Sequence, residues 1–108
     1  MKNLTIALAF LMTFSLPVSA QDFQKGLAAE QGKASSQSSL GIRYEYGEGV
    51  LQDNVMAHMW YNIAAANGIS EAGKWRDERA SLMTQADISK AQAKARECMS
   101  SGYKKCGY

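Results

Sequence analysis

Leu40-Gly41-x-x-Tyr44-x-x-Gly47-x-Gly49-Val50-x-x-Asp53-x-x-x-Ala57-x-x-Trp60-Tyr61-x-x-Ala64-Ala65-x-x-Gly68 sets the architecture of this chain. Leu40 and Tyr44 lie one helical turn apart, so they share a face of a helix that stops at Gly47. Gly47 and Gly49 permit the backbone angles of a tight turn between helices. Val50 can tuck that turn against a core. The Asp53 carboxylate can cap the free N–H groups of the next helix. Val55, Met56, Met59, Trp60, Ile63 and Ala64 then recur at helical spacing. Gly41 and the Ala64-Ala65 pair carry little side chain, which lets helices approach closely. Tyr44 and Trp60 supply large apolar area to the groove between them. Their spacing is that of a buried stripe, so they are read as architecture and not as a ligand cage.

Outside this unit the chain is also helical. Strand signals are scarce, and Ala, Gln, Lys, Glu, Met and Leu dominate. Five helical segments are expected. The first spans residues 22–31, with Phe23, Leu27 and Ala28 on one face. The second spans 33–46, with a serine-rich start that weakens it. The third spans 53–67. The fourth spans 70–82, with Ser70 as its cap, Glu71 near its positive end, and Ala72 and Trp75 facing inward. The fifth opens at Thr84-Gln85-Ala86-Asp87, a capping box with Asp in the Glu position. Ile88, Ala91, Ala95, Cys98 and Met99 are its expected buried stripe.

A repeat is visible at 36 residues. Ala28-Ala29 precedes Gly32 as Ala64-Ala65 precedes Gly68. Such a period suits a unit of two short helices. The complete unit closely resembles the Sel-one-like repeat, a relative of the tetratricopeptide repeat, over residues 36–72. The resemblance implies an all-α solenoid of antiparallel helix pairs that binds and assembles other proteins. Residues 22–32 look like the second helix of a preceding repeat. Beyond Gly68 the pattern fades, with Arg76-Asp77 where Leu-Gly is expected and Ala80 where Tyr is expected. Residues 73–108 are therefore read as a cap. Met83 to Arg96 looks like the closing helix common in short exported members of that family.

The chain has 108 residues, room for one small domain. Lys2, an apolar run from Leu4 to Leu16, Pro17 and Val18-Ser19-Ala20 form the order of a secretory signal peptide. The run is too short for a membrane span. Residues 1–20 are thus expected to be removed, leaving a repeat domain at 21–108 in the periplasm or outside the cell, with no membrane insertion. Without Lys2, 11 basic side chains face 10 acidic ones, a formal charge of +1 that gives no reason to propose nucleic acid. Two cysteines, Cys98 and Cys106, eight residues apart in an exported chain, favour a structural disulfide. Their spacing is not the Cys-x-x-Cys of catalytic dithiols.

Catalytic signals are weak. The single histidine, His58, has only Asn54 and Asn62 beside it at helical spacing and is read as a partly exposed surface residue. No Cys-x-x-Cys or His-x-x-x-His spacing offers a metal site, and no phosphate loop follows a strand. No enzyme, cofactor or metal is expected. The expected partner is a protein or peptide, bound by a monomer acting as adaptor or scaffold. Gln37, Arg43, Glu45 and Tyr46, which the repeat pattern does not require, are the candidate contacts. Tyr46 is set against the plainer role of covering the Gly47–Gly49 turn. An inhibitor or immunity-type protein for a single enzyme is the alternative, and a small hydrolase using His58 or a free thiol ranks below it.

Overall fold

The computed structural model describes Ala28, Ala29 and residues 32–107. Among these residues the fold is all-helical: α1 is Ala34–Tyr46, α2 Asn54–Ala66, α3 Ser70–Ala80 and α4 Gln85–Ser100. Four helices stand where five were expected. The segment expected at 22–31 lies outside the described residues apart from Ala28 and Ala29, which are helical. No helix among the described residues is long and apolar enough to cross a membrane.

The helix ends follow local chemistry. In α1 the serine run is helical from Ala34 onward, and the Ser38 and Ser39 hydroxyls donate to the Ser35 carbonyl at 2.9 and 3.0 Å. The helix stops at Gly47, whose φ of 70° only glycine adopts without penalty. The Asp53 N–H donates to the Tyr44 carbonyl at 2.9 Å, which folds the turn back on α1. Asp53 Oδ1 then accepts from the N–H groups of Val55 and Met56 at 2.9 and 3.2 Å and opens α2. Thr84 opens α4 in the same manner, its hydroxyl accepting from the Asp87 N–H at 3.1 Å. Ser70 is not a cap. It is the first helical residue of α3, and Ile69 occupies the cap position without a side-chain bond. That helix also ends at Ala80, two residues short of Leu82.

Helix α2 is the centre of the molecule, packed against α1, α3 and α4. Two adjacent stripes on it explain how. Met56, Met59, Trp60 and Ile63 join Ala29, Leu40, Ala95, Cys98 and Cys106 in one core. Ala57, Tyr61 and Ala64 join Ala72 in a second, with Ile42, Ala65, Ile69 and Trp75 at its edge. Tyr44 touches both cores. Gly41 admits this packing for a specific reason: a Cβ there would overlap the ring of Tyr61. On α4, Ala91, Ala95 and Cys98 are buried. Met99, expected in that stripe, is 38 % exposed. One residue beyond Cys98 it is rotated by about 100° onto the flank.

The tail is fastened by chemistry of three kinds. Cys98 and Cys106 form a disulfide with Cα atoms 4.4 Å apart, and both residues are buried. The Ser101 hydroxyl accepts from the N–H groups of Lys104 and Lys105 at 3.2 and 2.9 Å. Tyr103 takes a left-handed φ of 66°, and its hydroxyl accepts from Asn67 Nδ2 at 3.0 Å. Asn67 Nδ2 also donates to Gln37 Oε1 at 2.8 Å, while Gln37 Nε2 donates to the Ala29 carbonyl at 3.1 Å. One polar chain thus joins the residues before α1, α1 itself, the end of α2 and the tail.

Candidate interaction groove

A groove of about 250 Å³ lies between α1 and α3 with α2 beneath it, lined by Ile42, Glu45, Tyr46, Tyr61, Trp75 and Glu78. The second core forms its floor. The Tyr61 and Trp75 rings meet there, centroids 5.7 Å apart and planes inclined at 57°. That tilted contact is favourable for aromatic quadrupoles.

The four residues proposed from sequence as contacts separate in the structure. Gln37 is fully buried and belongs to the polar chain just described, so it presents nothing to a partner. Glu45 turns inward: its Oε1 accepts from the Tyr61 hydroxyl at 2.7 Å and lies 3.6 Å from Arg79 Nε, with the carboxylate side chain 11 % exposed. Arg43 is partly buried and its guanidinium donates to the Glu48 carbonyl at 3.4 Å, across the turn. Tyr46 is 68 % exposed at the groove rim and does not bury itself over the turn.

Electrostatics bind the groove together. Burial pushes the Tyr61 hydroxyl far above its ordinary pKa, and the bond to Glu45 adds to the effect. Hydrogen bonding to Glu45 raises the Tyr46 hydroxyl, with Arg79 opposing and Glu78 adding a smaller effect in the same upward direction. Both phenols therefore stay neutral donors at physiological pH.

His58 is placed differently from the sequence reading. It is 3 % exposed, with Nδ1 lacking a hydrogen-bond partner. Burial lowers its pKa, and the neighbouring Arg76 lowers it further, against a smaller opposing effect of Asp77. Both charges stand on α3, where Arg76 donates to Asn62 Oδ1 on α2 at 2.8 Å and pairs with Asp77 at 3.0 Å. Nothing local to α2 announces those neighbours. Among the described residues no group of three or more His, Cys, Asp or Glu side chains is placed to hold a metal ion.

An all-helical chain in which α1 and α2 are joined by the Gly47–Gly49 turn and a groove separates α1 from α3 has the plan of a short helical-repeat protein. Residues 34–69, a third of the chain, match the Sel1 repeat. The matched segment begins at the first residue of α1 and ends at the start of α3, a frame two to three residues earlier than the 36–72 read from the sequence. No curated protein and no solved structure matches the chain.

Proposed function

We propose that the protein is an exported interaction module, a small adaptor that seats a peptide or one face of a partner protein in the groove between α1 and α3. The observation that carries this reading is Tyr46, a large aromatic left 68 % exposed on the rim of a concave surface. Exposed aromatics beside a preformed pocket are the residues that supply binding energy at interfaces. The short array supports a short partner segment, because a single complete repeat builds one groove and no extended surface.

Export rests on the order of charge, apolar run and small residues in 1–20, and on a disulfide that oxidising compartments preserve. On this reading residues 21–108 act as a monomer in the periplasm or outside the cell, with 73–108 as the cap.

Site-specific photocrosslinking tests the groove. A photoreactive phenylalanine analogue at Tyr46 should give adducts in the native compartment, and the same analogue at exposed Glu97 on α4 should not. Equal labelling from both positions, or none from Tyr46, rejects the groove. Intact-mass measurement of the exported protein tests processing: a chain beginning at Gln21 is expected, and one retaining Met1 rejects the signal peptide.

A further inference from the structure

The charge lining the groove identifies what it accepts. Its two charged lining residues are Glu45 and Glu78, both acidic. They are not equivalent. Glu45 is compensated from within by Arg79 and by the Tyr61 hydroxyl. The exposed Glu78 carboxylate has no hydrogen-bond or ion-pair partner among the described residues. Its charge is felt at the Tyr46 hydroxyl, as is the opposing charge of Arg79, which Glu45 already engages. Tyr46 and Trp75 line the pocket with it. Aromatic faces attract cations through their quadrupoles, by about 0.5–1 kcal/mol at exposed sites and more when water is displaced. An anionic side chain would meet the like charge of Glu78, and a neutral polar one would leave it unpaired.

Resting on the reading of this groove as the partner site, we propose that it takes a basic side chain, lysine or arginine, from an extended partner segment. The cation lies against Tyr46 and Trp75, and its head pairs with Glu78. Apolar neighbours in the same segment meet Ile42.

The chain's two tryptophans make the test internal, since Trp75 lies in the groove and Trp60 is fully buried in the other core. The folded, disulfide-bonded protein is titrated with acetyl-Leu-Arg-Leu-amide, acetyl-Leu-Gln-Leu-amide and acetyl-Leu-Glu-Leu-amide, following the two indole N–H resonances by NMR. The arginine peptide should move the Trp75 resonance saturably and leave Trp60 in place. The glutamine peptide should bind at least about tenfold more weakly, and the glutamate peptide more weakly still. Half-molar salt and Glu78→Lys should each erase the preference for arginine, as expected for an exposed charge pair. Equal shifts of Trp75 by the arginine and glutamine peptides would overturn the cation assignment while leaving the groove as the partner site. No saturable shift of Trp75 with any of the three peptides would overturn the groove itself.

Discussion

The ring of Tyr61 on α2 lies directly over the bare α-carbon of Gly41 on α1, at a distance that leaves no room for a methyl group. Gly41→Ala gains about 1 kcal/mol of helix propensity. It also forces the Tyr61 ring, fixed by its bond to Glu45, out of a packed core. Such overpacking costs about 1–3 kcal/mol or more. A net loss of up to about 2 kcal/mol is expected in urea unfolding. Gly73→Ala on α3 is the control: its Cβ would meet Arg76 and Ala65 at 3.7 and 3.8 Å, ordinary contact distances. It should stabilise by up to about 1 kcal/mol.

The disulfide closes a short loop, and in the chain-entropy account a loop of this size contributes about 2–3 kcal/mol. Cys98→Ser with Cys106→Ser should lower stability by at least that amount, because each serine also places a hydroxyl among buried apolar groups. Thermal melting measured by circular dichroism checks it. An unchanged melting temperature would show that the bridge holds nothing that packing does not.

Gln37 separates a buried polar role from a surface one. Gln37→Ala removes its bonds to Ala29 and Asn67 and leaves a void where a fully buried side chain stood. A loss of about 2–3 kcal/mol follows from unsatisfied partners and lost packing. Tyr46→Ala, at an exposed site, should stay within about 0.5 kcal/mol of the parent. Chemical denaturation of the two variants side by side distinguishes them.

His58 makes stability depend on pH. Its folded pKa lies below the ordinary 6.5, so the unfolded chain binds a proton more readily. The contribution is fully present above pH 6.5 and is lost as pH falls from there toward the lowered folded value. The slope in that window is at most about 1.4 kcal/mol per pH unit. Unfolding at pH 7.5 and pH 5.5 should show the decline, and His58→Gln should flatten it.

The backbone plan was legible because its signals are local. Asp53, Thr84 and Gly47 act on atoms within three or four residues, and a sequence displays them. The apolar stripe of α2 was legible for the same reason, since spacing alone fixes a face. Gln37 and His58 were misread as surface residues because each is polar in type and buried by distant elements, and the inward turn of Glu45 was not legible for the same reason. Gln37 needs Ala29 and Asn67, Glu45 needs Tyr61 and Arg79, and His58 feels the charges of Arg76 and Asp77 on α3. Of the groove, Tyr46 was legible as a residue the repeat does not use. Trp75 and Glu78 were not, because α3 departs from the repeat pattern and its approach to Tyr61 is a tertiary fact.

The two stripes on α2 have a consequence for how the molecule comes apart. Long helical arrays fray from their ends, because each unit touches only its neighbours. Here one helix supplies large side chains to both cores, so neither core survives its loss. Melting should be all-or-none, with near-ultraviolet signals from Trp60 and Trp75 and the far-ultraviolet helix signal coinciding on one transition. A groove built on such a unit keeps its shape until the whole domain unfolds.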